Sequence, residues 1–194
     1  MASRIGEVIE ASTAEFLAEC YELHEPPPLG ALVKTTLRDA EIYGIVCNSS
    51  TSGIDPARRP LARGRDEAEA DDIYKQHPQL SRLLRTTFKA VITGYSEGRD
   101  IHHYISPRPP RIHDFVFICS PGEISAFTRS LDFLPALLRA TEGPADDIVS
   151  ACLRRASQAH EDPRAFLIGA GKELALLLSG ELNRLNAILR RIRP

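Results

Sequence analysis

The run from Gly169 to Glu173 reads Gly-Ala-Gly-Lys-Glu, and its glycine–lysine pair suggests a loop that binds nucleotide phosphates. Such a loop also needs a glycine five residues before that pair and a Ser or Thr after the lysine to hold Mg²⁺. Phe166 and Glu173 occupy these two positions, and no strand pattern precedes the run. The sequence therefore predicts neither an ATP site nor a cofactor.

Three histidines, His102, His103 and His113, have the side chains best suited to a metal site. Neighbouring residues of a strand point to opposite faces, so only one of His102 and His103 could share a site with His113. No Glu or Cys stands at ligand spacing nearby, although Asp114 is adjacent in sequence. We therefore expect surface or hydrogen-bonded histidines and no metal site.

The hydroxyl side chains at residues 49–52, beside Gly53, are the candidates for a catalytic nucleophile. No Gly-x-Ser-x-Gly motif surrounds them, and no partner His or Asp can be assigned. The acidic pairs at residues 71–72 and 146–147 fit helix starts, where carboxylates face the positive end of the helix dipole. The sequence thus predicts no catalytic residues and a protein that is not an enzyme; an enzyme of unrecognised type is a remote alternative.

Composition is typical of an ordinary soluble globular chain. Of 194 residues, 43% are hydrophobic and 26% are charged, and no apolar run is long enough for a membrane-spanning helix. The four cysteines form no Cys-x-x-Cys pair, so we expect buried reduced thiols rather than a disulfide frame or a zinc site. The N-terminus passes directly into a strand pattern, which predicts no secretory signal and a cytoplasmic protein.

Short β-prone segments separated by turns fill most of the first 120 residues. Both alternating sets of the segment at 41–48 are apolar, which predicts a strand covered on both sides. Gly44 within it predicts a bend or a close backbone approach. Strands are predicted at residues 6–11, 15–22, 31–36, 41–48, 86–95, 101–105 and 112–119, with turns at 37–40 and 97–100.

Residues 51–85 are predicted to form a helical insertion between two strands. Residues 49–65 are rich in Ser, Gly, Pro and Arg, a composition typical of a loop. From residue 66 the composition becomes helical, and Pro78 divides it into two short helices. The loop arginines, with Arg108 and Arg111, could reach nucleic-acid phosphates. Five carboxylates at residues 66–72 and a pI of about 6.3 make nucleic-acid binding the less favoured interpretation.

Helices are predicted for the rest of the chain. Ser120 and Glu123 form a capping-box pattern, and Pro135 opens a second helix. Residues 145–193 are predicted to be helical throughout, with Asp162 as the cap at which the helix restarts. The last helical segment carries an apolar stripe on one face and arginines on the opposite face. Such a stripe must be covered, either by the protein's own core, which we favour, or by a second chain. The stripe comprises Leu174, Leu178, Leu182, Leu185, Leu189 and Ile192.

Charge differs between the two ends of the sequence. Residues 1–50 hold three Lys or Arg against eight Asp or Glu, whereas residues 151–194 hold eight against four. An acidic N-terminal domain could meet a basic C-terminal region, within one chain or between neighbouring copies in an assembly. The alternative is that two solvated faces differ in charge.

Together these patterns predict an α+β fold, with a small β-barrel at residues 1–119 and a C-terminal helical region at 120–194. Three elements occur in a fixed order: Ile-Gly-x-Val at residue 5, Leu-Gly-x-x-Val at residue 29 and Ile-Tyr-Gly-x-Val at residue 42. The arrangement resembles the HAS-barrel, the N-terminal domain of HerA-type DNA translocases and of the catalytic subunits of rotary ATP synthases. The resemblance covers residues 5–119 and does not extend to an ATPase core.

In its relatives this barrel resembles a collar that joins subunits and docks partners without catalytic residues. The resemblance implies a non-enzymatic assembly or protein-interaction module that self-associates or binds a protein partner. The alternative is an accessory nucleic-acid-binding factor in DNA processing or repair. The proline-rich run at residues 107–111 fits a crossover between strands better than a polyproline ligand. The candidate partner surface comprises Arg58, Arg59, Arg63, Arg108, Arg111, Arg184, Arg190 and Arg191.

We expect no saturable ATP binding by the intact protein in the presence of Mg²⁺, because Phe166 and Glu173 stand where a phosphate loop requires glycine and a hydroxyl side chain. Isothermal titration calorimetry with Mg²⁺–ATP measures this directly. Saturable binding that Lys172→Ala abolishes would contradict the prediction.

Overall fold

The computed structural model describes residues 3–37, 40–55, 57–98, 100–139 and 144–193. It has an α+β architecture in which a closed six-stranded antiparallel β-barrel carries a helical region, so the predicted fold class is confirmed. The predicted turns at residues 37–40 and 97–100 include positions that lie outside the described residues. None of the described helices is long and apolar enough to cross a membrane.

Each β-strand of the structure overlaps a segment that the sequence predicts as a strand. The strands are β1 (Arg4–Ala11), β2 (Glu15–Cys20), β3 (Leu32–Leu37), β4 (Ala40–Gly53), β5 (Leu84–Glu97), β6 (Asp100–His102) and β7 (Phe115–Ile118). The ring order is β2-β1-β7-β3-β4-β5, and β2 pairs with β5 to close it. Strand β6 extends β5 as a hairpin. Closure leaves no unpaired edge in the ring, which protects a small barrel from edge-to-edge association.

Strand β4 separates two apolar cores. Ile42 and Val46 point into the barrel, whose interior they fill together with side chains from the other strands. Tyr43, Ile45 and Cys47 point outward and pack against the C-terminal helices. The prediction of a strand covered on both faces is therefore confirmed, and this strand joins the barrel and the helices into one body.

Two of the described helices begin at capping residues that the sequence predicts. The helices are α1 (Ala70–Gln76), α2 (Pro121–Phe127), α3 (Leu134–Leu138), α4 (Ala145–Ser157), α5 (Pro163–Leu177) and α6 (Leu182–Arg191), and a 3₁₀ helix (Pro78–Arg82) follows α1. Ser120 and Glu123 form the predicted capping box of α2. The Asp162 side chain accepts a hydrogen bond of 2.9 Å from the Ala165 amide at the start of α5.

The C-terminal apolar stripe packs mainly inside the chain. Leu174, Leu178, Leu185 and Ile192 are buried in the outer core, where α5 and α6 contact α4. Leu182 is the exception, since it remains exposed at the start of α6. The stripe is therefore divided between two helices, and most of it serves the protein's own core, as favoured from the sequence.

Strand β4 runs further than predicted, and the assignment of residues 49–53 to a loop is wrong. These residues continue the ladder with β5, in which Thr51 Oγ1 lies 2.8 Å from Thr86 Oγ1 and Ser50 Oγ lies 3.2 Å from Thr87 Oγ1. Hydroxyl groups that face each other across two antiparallel strands stabilise the pairing, but they cannot be recognised in the sequence until the register of the strands is known. The insertion between β4 and β5 therefore spans residues 54–83.

Gly44 lies at a shift of register between β4 and β5 and faces the barrel interior. A Cβ atom at this position would lie 2.9 Å from Phe16 Cε1 and 3.0 Å from the Ala90 Cβ. The close backbone approach predicted from the sequence is present, and the absence of a side chain at position 44 leaves room for the Phe16 ring.

We expect Gly44→Ala to lower the free energy of unfolding by about 1–3 kcal/mol, because the added methyl group overpacks the barrel. The matched control is Gly169→Ala in α5, where a Cβ would meet nothing within 4 Å. That change should raise the free energy of unfolding by roughly 0.5–1 kcal/mol, the helix propensity difference. Urea denaturation measures both; a neutral or stabilising Gly44→Ala would contradict the packing argument.

Candidate functional site

The arginines predicted to form a partner surface lie on three separate parts of the chain. Arg58, Arg59 and Arg63 are exposed in the insertion, and Arg108 and Arg111 are exposed in the connector between β6 and β7. Two of these arginines have carboxylate partners close in sequence, at residues 55 and 114. These five side chains remain candidate contacts for a partner.

The arginines of α6 are engaged to different degrees. Arg184 Nε donates to Asp146 Oδ1 at 2.7 Å, and this hydrogen bond raises the pKa of Arg184. Arg191 Nε lies 3.2 Å from Asp147 Oδ1. Both carboxylates stand in the first turn of α4, where they also interact favourably with the helix dipole. These pairs tie α6 to α4, whereas Arg190 is exposed.

The three histidines make separate contacts. His102 lies against two tyrosine rings, and His103 Nε2 lies 2.8 Å from the Phe127 carbonyl oxygen. His113 Nδ1 lies 3.0 Å from Glu7 Oε2, and this hydrogen bond lowers the pKa of Glu7. Within the described ranges, no group of three or more His, Cys, Asp or Glu side chains is placed to hold a metal ion.

All four cysteines are buried thiols, as expected from the sequence. Burial raises the pKa of Cys20 to about 11 and that of Cys152 to about 12. A thiol with so high a pKa stays protonated at neutral pH, and the thiolate is the reactive form. These two cysteines therefore act as small apolar residues of the core.

The Gly-Ala-Gly-Lys-Glu run lies in the middle of α5 rather than in a loop between a strand and a helix. Backbone amides inside an α-helix donate to carbonyl groups four residues earlier, so they are not directed at a bound phosphate. Lys172 extends instead to the surface of α5, where it borders the groove described below.

A partly buried polar cluster joins β3, β4 and the start of α2. Lys34 Nζ forms ion pairs with Glu41 and Glu123, and Tyr43 Oη donates to Glu41 Oε2 at 2.8 Å. The Ser120 amide donates to Glu123 Oε2 at 2.7 Å as part of the capping box. Lysine, tyrosine and carboxylate side chains in contact have the composition of an acid–base site, so their charge states decide what the cluster does.

The environment favours the charged forms of Lys34 and Glu123 and the neutral form of Tyr43. Burial disfavours the charged ammonium of Lys34, but hydrogen bonds to Glu123 and Glu41 outweigh it and raise the pKa. Burial, then the bond to Glu41, raises the pKa of Tyr43. Burial also opposes ionisation of Glu123, yet Lys34 and Ser120 lower its pKa overall. The cluster is therefore a fixed ion network that fastens α2 to the outer face of the barrel.

An open groove of about 600 Å³ lies between α5 and α6. Its apolar floor is formed by Leu167, Ile168, Ala175, Leu189 and Ile192. The two helices approach closely here because one groove residue is a glycine: a Cβ at position 171 would lie 3.3 Å from the Leu189 Cδ2. The floor is thus continuous from one helix to the other. We call this surface the α5–α6 groove.

Three cations border the α5–α6 groove: Arg164 and Lys172 from α5, and Arg193 from the end of α6. No carboxylate lines it in the described part of the chain, and none of the three cations forms an ion pair there. The groove therefore combines an apolar floor with a positive border that none of the described residues neutralises through an ion pair.

Exposed apolar side chains extend this surface. Ile168 in the floor is 52% exposed, and Leu182 at the start of α6 is 67% exposed. Leu182 recurs at helical spacing with Leu189 and Arg193, so it lies on the groove side of α6. A contiguous apolar patch that is exposed on a globular protein usually marks a binding site.

Sequence reasoning missed the α5–α6 groove. The predicted leucine stripe contains two of the floor residues, Leu189 and Ile192, but the stripe indicates only that a cover is needed and not that α5 and α6 leave an open groove between them. The recurrence of Arg164, Ile168 and Lys172 at four-residue steps could have indicated a second, mixed face of α5. It could not have shown that Arg193 meets this face, because that depends on how α6 packs.

Neither the models of known protein families nor the curated proteins match this chain. The closed barrel is compatible with a small barrel domain, but no relative assigns it to a family. Function is therefore inferred from the geometry of the chain itself, and the α5–α6 groove is the feature with the clearest binding chemistry.

We expect Glu123→Gln to lower the free energy of unfolding at neutral pH by about 1.5–3 kcal/mol, the range for hydrogen bonds to charged groups. Folding lowers the pKa of Glu123, so its contribution is present above the unfolded value near 4.3 and is lost as pH falls through the lower folded value. Urea denaturation over a pH series should show the difference from wild type shrinking in acid. The exposed control Glu10→Gln should show little effect at any pH; a Glu123→Gln effect that persists undiminished in acid would refute the charge argument.

Proposed function

We propose that this protein is a non-enzymatic assembly or protein-interaction module built on a HAS-barrel-like domain, and that its α5–α6 groove binds an acidic amphipathic helix. The proposal rests on one observation: an apolar groove is bordered by three cations that have no ion-pair partner in the described residues. The resemblance to a domain that docks partners supports the same class of function.

The apolar floor supplies the driving force for binding. Ile168 in the floor and Leu182 beside it are each more than half exposed. Burying a leucine or isoleucine side chain that was fully exposed contributes about 1.5–3 kcal/mol, so a partner that covers these two residues gains a few kilocalories per mole. Part of this gain offsets the lost freedom of association, which is why the floor alone gives modest affinity.

The border selects the partner. Arg164, Lys172 and Arg193 attract carboxylates and repel basic segments, and charges at the rim of an interface mainly set association rate and specificity. A helix with an apolar stripe and acidic flanks places leucines on the floor and carboxylates at the border at the same time. This is the helix-in-groove mode of recognition, in which anchors recur at helical spacing.

The barrel serves as a rigid support for this surface. Strand β4 packs the outer core onto the barrel, the Lys34 network fastens α2, and the Arg184–Asp146 pair fastens α6 to α4. A groove held on both sides in this way loses little entropy when a partner binds, because its shape is already formed.

We expect a synthetic amphipathic helical peptide with leucines on one face and glutamates on the other to bind the intact protein. Binding should be about tenfold or more weaker in the double variant Arg164→Glu with Lys172→Glu, because the border charge is reversed. Fluorescence anisotropy of the labelled peptide measures both affinities. The matched control is Arg129→Glu with Arg155→Glu, which changes the net charge equally at exposed positions outside the groove.

Equal affinity of the groove variant and the control variant would refute the proposed site. A peptide with lysines in place of the glutamates should bind weakly to wild type and better to the groove variant. Duplex DNA that binds wild type tightly, and loses affinity in Arg58→Ala with Arg59→Ala, would favour the nucleic-acid alternative.

A further inference from the structure

We infer that the occupant of the α5–α6 groove is the acidic part of the insertion of a second copy of this chain. This inference rests on the proposed function, since it names the partner of the same groove. It makes the protein self-associate through two different surfaces, one presented by the insertion and one by the C-terminal helices.

The insertion is held away from the barrel core on an extension of β4 and β5. The pairing of β2 with β5 stops at Thr87, whereas β4 and β5 continue to pair as far as Gly53 and Leu84. None of the described residues at positions 54–83 is buried. We call this extension with its insertion the arm. Because the insertion buries no side chain in the core of its own chain, little apolar burial compensates the conformational entropy that is lost when the insertion is ordered.

The arm carries negative charge, whereas the border of the α5–α6 groove is positive. Residues 66–72 contain five carboxylates and no cation. Asp72 pairs with Lys75 at 2.8 Å, but Asp66, Glu69 and Asp71 form no ion pair in the described part of the chain. These carboxylates complement Arg164, Lys172 and Arg193 of the groove, which are also unpaired there.

The same part of the arm offers apolar side chains next to its carboxylates. Ile73 and Leu80 are half-buried, and Leu83 is 57% exposed. They fall on α1 and on the 3₁₀ segment that follows it, within the stretch that begins with the acidic run. The acidic run complements the cations at the groove border, and the apolar side chains on the short helical segments that follow it complement the groove floor.

Within one chain the acidic segment is fixed elsewhere. Tyr74 Oη lies 2.8 Å from His24 Nε2, and the two rings pack edge to face, which attaches α1 to the segment that follows β2. Asp71 stays exposed on this attached helix. The contact between arm and groove is therefore made between copies. Because the two surfaces differ, it closes either as a reciprocal exchange between two copies or as a ring.

The test measures the mass of the full chain by light scattering over a dilution series at low and high salt. Wild type should rise from the monomer mass of 21.4 kDa toward at least twice that value, and salt should reverse the rise. Two charge-reversed variants should each stay monomeric: the groove variant Arg164→Glu with Lys172→Glu, and the arm variant Glu69→Lys with Asp71→Lys. An equimolar mixture of the two should associate again, because each arm then faces a groove of opposite charge.

The control variant Arg129→Glu with Arg155→Glu should associate as wild type does. The acidic peptide used for the proposed function should dissociate the wild-type assembly, which tests the groove without any substitution. Wild type that remains monomeric throughout, variants that associate like wild type, or a mixture that stays monomeric would each overturn the inference.

The two proposals fail in different ways. If the acidic peptide binds wild type but not the groove variant while wild type stays monomeric, the groove is a partner site and only the second-copy occupant is wrong. If the peptide binds wild type and the groove variant equally, the groove itself is wrong, and the inference falls with it.

Discussion

The burial of β4 on both faces is the constraint on which the rest of the structure depends. Its inward side chains complete the barrel, and its outward side chains Tyr43 and Ile45 form the base on which the helices pack. A strand with one polar face would lack these outward side chains, and the helices would lose this part of their apolar contact with the barrel. Because both faces are apolar, the barrel and the helices share β4 and stabilise one another.

Polar contacts then set the orientation of the helices on this base. The pair of Lys34 with Glu123 places the start of α2, and the pair of Arg184 with Asp146 sets α6 against α4. Apolar packing is not directional, so such partly buried ion pairs are what distinguish one arrangement of helices from similar ones. The position of Arg193 beside Lys172, and with it the α5–α6 groove, follows from that orientation.

The sequence predicts the parts of the fold that depend on local pattern. Strands are recognised by alternation, and the starts of α2 and α5 by their capping residues, because these signals act within a few residues. Residues 49–53 were assigned wrongly because their strand state depends on a partner at 84–88. The α5–α6 groove could not be predicted for the same reason: its floor combines Ile168 and Leu189 from helices whose packing no local pattern encodes.

The charge difference between the two ends of the sequence takes a more specific form in the structure. Near the N-terminus, several carboxylates of β1 and β2 are paired within the chain, at residues 7, 15 and 19. Near the C-terminus, Arg184 and Arg191 are paired with α4. Internal pairing removes much of the apparent polarity, since a paired charge attracts an external partner weakly. Two of the places where unpaired charge accumulates are the acidic part of the arm and the border of the α5–α6 groove, and they are opposite in sign. The difference in charge along the sequence thus becomes two defined surfaces of opposite sign, and neither has an ion-pair partner for these groups among the described residues of its own chain.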